Sequence, residues 1–533
     1  MSDPKKPKSP GEIQEEIQKF FRDKLGADVF SVPLGNVGPM SAAAAAEEAE
    51  EPEREIPEEV LAFDKRPRQV KEYLDRWVVG QEQAKRTLAV AVCDHYNHVR
   101  RTLKPRDSNA PGSSHYIKQN VILLGPTGVG KTYLVKILAQ MIGVPFVKAD
   151  STKFSETGYV GGDVEDMVRE LYRVADGNAL LAEHGIIFLD EIDKIAAAEN
   201  PTGGRDPSGR GVQVSLLKLM EDTEVPLRSP LDIGSQFQDL LQMRQGRPAR
   251  RTINTRHILF VVSGAFSGLS EIIARRLGDR SVGFKSGQGE DELEAGRLFS
   301  KVTTKDFVDF GFEPEFIGRL PIRCALDPLT AEDLFRILRT AEGSILLQYR
   351  ESFRGYGIDV AFEDDALREV SERAHREDTG ARGLMTVLES VLRPFKFDLP
   401  GSAVKRFAVT RRVIEEPTRA LAELLANPEH AAEEYARAAV REWQALFAAQ
   451  RGVRLALDEE ASRMASRVSE ELGISLEEYL DGTFAPHADF LRTILVRSGR
   501  DVLEVNPHIL SRPAEGVGLW LDPSQRKAAE SEH

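Results

Sequence analysis

Residues 125–132, Gly125-Pro126-Thr127-Gly128-Val129-Gly130-Lys131-Thr132, constrain this chain more than any other stretch. An apolar run, Val121 to Leu124, precedes them and reads as a buried strand. The apolar residues of Tyr133 to Ile142 recur at helical spacing after them. Strand, glycine loop, helix is the context that gives GxxxxGK[ST] its meaning. Glycines let the loop turn its backbone N–H groups inward around phosphate oxygens, and the helix that starts there adds a positive dipole end. Lys131 would reach the β- and γ-phosphates of ATP, and Thr132 would hold Mg²⁺.

The order of elements extends this reading. Short amphipathic and long helices are expected over Val70–Arg76 and Glu82–Arg101, then strands over Val121–Leu124, Val144–Ala149, Ile186–Leu189 and Ile258–Ser263. Helices over Asp163–Ala175 and Val212–Asp222 fall between them. Such alternation implies a parallel sheet covered on both faces, with ligand at the carboxyl ends of the strands. Asp190-Glu191 ends one of those strands, 59 positions after Lys131. Adjacent carboxylates at a buried strand end are costly without a task. Asp190 can position Mg²⁺, and Glu191 can polarise an attacking water.

Composition narrows the class. With a net charge of −14 the chain has no overall electrostatic footprint for nucleic acid. No apolar run reaches the length of a membrane span, and the polar, basic start (Met1 to Pro10) has no apolar core of a secretion signal. The two cysteines, Cys93 and Cys324, sit in apolar stretches and read as buried thiols, which suits a reducing cytoplasm. At 533 residues, two to four domains are expected.

Further stretches make the likeness specific: VVGQEQAK (78–85), GYVGGDVE (158–165), GIIFLDEIDKI (185–195), GRDPSGRGVQVSLLKLME (204–221), ILFVVSGAFSGL (258–269), FGFEPEFIGRLPIR (310–323) and TGARGL (379–384). With the phosphate loop, they follow the order and spacing of one family. The chain resembles the ClpX family of AAA+ protein unfoldases over roughly residues 66–416. The resemblance implies an α/β fold: an AAA+ P-loop NTPase large domain with a parallel sheet between helices, and a small, mostly helical AAA+ domain. The implied division is 1–65 (a helix and an acidic linker), 66–326 (large domain), 327–416 (small domain) and 417–533 (a mixed α/β extension). In the small domain, helices are expected over Ala331–Glu351, Asp364–Arg376 and Arg382–Phe397.

Carried over residue by residue, the likeness assigns roles. Val78 and Val79 would line the adenine pocket. Arg319 would be an arginine finger reaching the nucleotide of a neighbouring subunit, and Arg382 a second sensor in the small domain. Ser263 lies where a first sensor would sit. Tyr159 and Val160 match the pore loop that grips a threaded polypeptide by packing. The implied activity is ATP hydrolysis in a ring of six that unfolds client proteins and threads them through a central pore, either for a ClpP-type peptidase or as a stand-alone remodeller. HslU, the related ring unfoldase, is disfavoured by the short spacing from phosphate loop to Asp190.

Three departures stand out. The chain has no CxxC pair, so the family's N-terminal zinc module is not expected. A helix with apolar residues Ile13, Ile17, Phe20, Phe21 and Leu25 stands in its place, followed by an Ala/Glu/Pro-rich acidic linker over 41–60. At the pore entrance, Arg244, Arg247, Arg250 and Arg251 replace an Arg-Lys-His motif. Where the family docks its peptidase through Ile/Leu-Gly-Phe, this chain has Val282-Gly283-Phe284, either a working variant, a weakened one or a coincidence.

Beyond Glu416, residues 353–366 (FRGYGIDVAFEDDA) parallel 447–461 (FAAQRGVRLALDEEA). Each reads as helix end, glycine, short strand, acidic cap and helix. The pattern fits either a degenerate duplicate or chance recurrence of a common motif.

Overall fold

A computed structural model describes residues 63–103, 118–154, 162–196, 207–227, 252–278, 296–340, 345–513 and 520. The expectations for helix 11–25, the linker over 41–60, Tyr159-Val160, the arginine loop and Val282-Gly283-Phe284 lie outside these residues.

Five short runs of buried apolar residues make the central sheet: β1 (Val121–Leu124), β2 (Phe146–Asp150), β3 (Ile186–Asp190), β6 (Leu259–Gly264) and β7 (Ile322–Ala325). Their order is β2-β3-β6-β1-β7, and every pairing is parallel. Because helices cover both faces, these strands read as continuous apolar runs rather than alternating ones. Two further strands, β4 (Glu224–Pro226) and β5 (Thr252–Asn254), form a separate antiparallel pair.

One face of the sheet packs with the helices Pro67–Trp77, Glu82–Leu103 and Lys131–Ile142, in a core that runs on through Leu334, Val370, Leu388 and Phe407. The other face packs with Asp166–Val174, Pro207–Met220 and Leu269–Leu277. Residues 345–415 form a mostly helical layer around a parallel pair, β8 (Asp359–Phe362) and β9 (Arg406–Val409). Beyond it, residues 440–520 gather a separate core around Trp443, Phe447, Phe484 and Trp520. A second parallel pair, β10 (Leu455–Leu457) and β11 (Leu503–Val505), lies within it. Among the described residues, no helix is long and apolar enough to cross a membrane.

Several element bounds differ from the sequence reading, for local reasons. β2 starts at Phe146, not Val144, because the Val144 amide donates to Ala139 O at 3.2 Å and completes the helix end that Gly143 caps in the left-handed conformation. The Asp163 and Asp166 carboxylates accept from the backbone of residues 165 and 163, so the regular helix begins only at Asp166. Pro207 moves the start of the next helix back from Val212. Within the stretch expected as one helix over 331–351, Ala331–Thr340 and Ile345–Arg354 are helical, and 341–344 lie outside the described residues. Both cysteines are buried and free, and burial pushes their thiols up to about 11 for Cys93 and about 12 for Cys324. Neither is a reactive thiol at neutral pH.

Candidate functional site

The phosphate loop leaves the carboxyl end of β1. Gly125, Gly128 and Gly130 all have positive φ, at 153°, 81° and 93°. At Gly128 this freedom is obligatory for a second reason. A Cβ there would sit 2.2 Å from Thr379 O, and one on Gly380 would sit 2.7 Å from Gly128 O. The two backbones pass in contact, and the Ala381 amide donates to Gly128 O at 3.0 Å. The phosphate loop is thereby joined to the start of the Ala381–Asp398 helix, whose first turn carries Arg382.

Lys131 opens its own helix and donates through Nζ to Gly125 O (2.6 Å) and Pro126 O (2.8 Å). Burial depresses its pKa to about 8, against the pull of Asp190 and Asp193, and Arg382 depresses it further. An oligophosphate bound there would favour the charged lysine. Binding of a nucleotide analogue should therefore take up a proton above pH 8, and affinity should fall by about tenfold per pH unit there. A fluorescence titration at pH 7, 8 and 9 checks this. A flat profile would show that Lys131 keeps its charge throughout.

Asp190 ends β3 and gathers several polar groups. Ser263 Oγ, from β6, donates to Asp190 Oδ1 at 2.7 Å, and Lys148 Nζ, from β2, pairs with Oδ2 at 2.8 Å. Although burial opposes it, the bonds from Lys148 and Ser263 hold the Asp190 carboxyl below the usual range. Thr132 Oγ1 lies 3.5 Å from the same Oδ2, and Lys148 Nζ lies 3.4 Å from Thr132 Oγ1. An ammonium thus bridges the two oxygens expected to hold a metal.

Glu191 follows with φ 56° and ψ 32°, a left-handed conformation uncommon for a non-glycine residue. Ser151 Oγ and the Lys194 amide both donate to its carbonyl, at 2.7 and 2.9 Å, and fix that turn. Its side chain is exposed. Beneath it, Asp193 is buried and accepts from the Phe266 amide. A Cβ on Gly264 would meet Asp193 Oδ1 at 2.4 Å, so a larger residue there would have to displace that buried carboxylate.

Arg319 stands elsewhere. It precedes β7, whereas the phosphate loop follows β1, and the two strands pair in parallel from Val121↔Ile322 to Leu124↔Ala325. Lys131 and Arg319 are therefore at opposite ends of the sheet, separated by at least the four-residue length of β1, about 13 Å. Arg319 is about half exposed and pairs with Glu221 at 2.5 Å, while buried Asn120 holds its carbonyl at 3.1 Å.

Val78 and Val79 are buried beside the Glu82–Leu103 helix. The neighbouring Gln81 clamps the backbone of Asp327, donating to its carbonyl at 2.7 Å and accepting from its amide at 2.8 Å. Gln81, Lys148, Ser151, Asp193 and Glu221 were missed by the motif reading. Gln81, Asp193 and Glu221 lay within stretches already matched, whereas Lys148 and Ser151 carried no signal.

A nucleotide site at the carboxyl end of a parallel sheet, closed by a helical layer that touches the phosphate loop, defines a P-loop ATPase of the AAA+ class. Residues 117–323 match the family described as AAA domain (Cdc48 subfamily). The chain is 41% identical over 351 residues to the ATP-dependent Clp protease ATP-binding subunit ClpX of Treponema denticola, covering 65% of this chain and 81% of that one. The protein of the same name from Borrelia duttonii is 42% identical over 351 residues (65% and 77% of the two chains), and that from Porphyromonas gingivalis 39% (66% and 82%). The chain belongs to the ClpX family, and it is a nucleotide-binding, ATP-hydrolysing enzyme.

Proposed function

We propose that the chain is an ATP-driven protein unfoldase and translocase working as a ring of six copies. The observation that carries this reading is the separation of Lys131 from Arg319 across the sheet. A heterologous ring contact would bring the Arg319 end of one copy to the phosphate-loop end of the next. In that arrangement the loop from Gly125 to Gly130 cradles the phosphates and Lys131 contacts the β- and γ-phosphates. Arg382 reaches the nucleotide from the helical layer, and Val78 and Val79 flank its base.

Thr132 and Asp190 would hold Mg²⁺, with Lys148 giving way, and the ion would supply charge neutralisation for phosphoryl transfer. Glu191 orients the attacking water and takes its proton. Arg319 of the neighbouring copy leaves Glu221 and stabilises the charge that spreads over the transferred group. The proposed division is a large domain over 66–326, a small domain over 327–416 and an extension over 417–533. Because the glycine contact joins the phosphate loop to the Arg382 helix, a change at the phosphates would move the helical layer as a rigid body.

Tyr159-Val160 would grip the client, and Val282-Gly283-Phe284 would dock a ClpP-type peptidase, the partner implied by the names of the relatives. A second reading is a stand-alone remodeller. It is favoured by Val282, one methylene shorter than Ile at an apolar anchor, about 0.8 kcal/mol per contact if buried. One experiment tests both. A tagged, folded substrate should be unfolded by the wild type and untouched by Tyr159→Ala, while ATP turnover persists in both. Retained unfolding would remove Tyr159 from the grip. Capture of purified ClpP by the wild type and its loss in Phe284→Ala would establish the peptidase partner; capture by neither selects the remodeller.

A further inference from the structure

Residues 428–511 repeat the topology of residues 345–415. The earlier segment runs helix (Ile345–Arg354), β8, helix (Asp364–Arg376), helix (Ala381–Asp398), β9 and a short helix (Arg411–Glu415). The later one runs helix (Pro428–Arg451), β10, helix (Glu459–Leu472), two helices (Leu476–Phe484 and Ala488–Ser498), β11 and a short helix (Pro507–Ser511). Both strand pairs are parallel, with Phe362↔Val409 matching Leu457↔Val505. The bond that closes each pair recurs: Glu363 N to Val409 O at 3.1 Å, and Asp458 N to Val505 O at 3.0 Å. Buried positions recur as well, Ala366 with Ala461, Val370 with Ala465, and Val413-Ile414 with Ile509-Leu510. The resemblance between 353–366 and 447–461 is therefore a duplication of fold, not a chance motif.

The repeat cannot serve a nucleotide as its counterpart does. The helix turn that carries Arg382 in the first copy carries Glu477 and Glu478 in the second. What distinguishes the copies otherwise is one missing layer. In the first, the Ala331–Thr340 helix lies along Asp364–Arg376. Arg368 pairs with its Glu332 at 3.1 Å and stacks over its Phe335, with the guanidinium 4.2 Å from the ring centre. Arg339 of the same helix reaches Asp364 at 3.0 Å.

In the second copy Arg463 and Glu459 occupy the places of Arg368 and Asp364, and among the described residues no helix covers them. The 24-residue helix Pro428–Arg451 runs unbroken, with Tyr435 and Ala438 packed against Ala361 and Ala408 of the first copy. A groove of about 550 Å³ lies between it and Glu459–Leu472. Its floor includes Ala436, Val440 and Leu457, and its walls carry Arg437, Arg441, Arg463 and Arg467 together with Glu433, Glu459 and Glu470. Among the described residues, Arg463 pairs with Glu459, one turn back, and Arg437 and Arg467 make no ion pair.

We infer that this groove binds a short amphipathic helix of a partner polypeptide, seated as Ala331–Thr340 is seated in the first copy, with carboxylates toward the wall arginines. The first copy shows the mode: a carboxylate on the central arginine, an aromatic ring beneath that arginine, and apolar residues (Leu334, Leu338) into the floor. Arg437 and Arg467, one on each wall and without an ion pair among the described residues, favour carboxylates flanking that helix over basic flanks.

The probe is a fluorescein-labelled peptide of residues 329–342, LTAEDLFRILRTAE, added to the full chain. The equivalent seat in the first copy is already held by the tethered helix at high effective concentration, so the free peptide should go to the second. Saturable binding is expected. Arg463→Glu should weaken it by about tenfold or more, the scale of one charge-assisted hydrogen bond. A peptide carrying Glu332→Arg should fail on the wild type and regain binding on Arg463→Glu. ATP turnover of Arg463→Glu should stay at the wild-type level, which establishes that the variant is folded. Absence of saturable binding, indifference to Arg463→Glu, or failure of the charge swap would each overturn the assignment.

Discussion

Glu191→Gln is expected to bind nucleotide within about threefold of the wild type and to lose ATP turnover by about a hundredfold or more, the range for removal of a general base. The structure separates these effects. In the proposed site, nucleotide affinity would rest on the loop glycines, Lys131 and Thr132, whose hydrogen bonds among the described residues do not involve the Glu191 side chain. Glu191 is tied into the site through its carbonyl, by Ser151 and the Lys194 amide, and its exposed carboxylate makes no hydrogen bond among the described residues. Glutamine preserves volume and backbone, so the left-handed turn should persist and the melting temperature should stay within a degree or two. The measurements are equilibrium binding of a fluorescent ATP analogue and steady-state phosphate release. Turnover near the wild-type level would assign the water to another group, and loss of binding would mean that the turn itself had collapsed.

What could be read from the chain follows from how local each feature is. β1, the glycine loop and the following helix are contiguous, and each is signalled by its own residues. The Asp190-Glu191 pair could be read because a buried strand ended in charge. By contrast, the contact of Gly128 with Thr379-Gly380 joins segments remote in sequence, and no pattern in either announces the other. Lys148 carries no motif signal either. It alternates with buried Val147 on β2, as any solvent-facing strand residue would, and only the register of β2 with β3 brings it to Asp190. β7 escaped notice because Arg323 interrupts its four residues, a cation accommodated by contacts with Val302 O and the Phe307 ring. The fold duplication was half visible. Its strand-and-cap pattern survives in the letters, whereas the helices between the strands had drifted: Leu367 became Ser462, and Arg382 gave way to an acidic turn. Paired strands and buried positions, rather than identities, reveal the rest.

Arg319→Ala and Lys131→Ala should each abolish turnover, by about a thousandfold or more for the arginine, and a mixture of the two should recover activity. The recovery follows from sheet geometry. Within one copy, the parallel pairing of β1 with β7 holds Arg319 and Lys131 at opposite ends. In the proposed ring, a productive site would combine Lys131 of one copy with Arg319 of its neighbour. In rings assembled at random from equal amounts of the variants, about one interface in four pairs an intact Lys131 with an intact Arg319, so activity near a quarter of the wild type is expected if sites act independently. An arginine acting within its own chain would give a mixture as inactive as its parts. Glu221 refines the test, because its ion pair with Arg319 must open before the arginine can reach a phosphate. With both side chains about half exposed, that pair is worth little, so Glu221→Gln should change stability by less than about 1 kcal/mol. Its effect on turnover then reports how far Glu221 aims the arginine across the interface: a fall marks it as a positioning residue, and a rise marks it as a restraint that the ring must release.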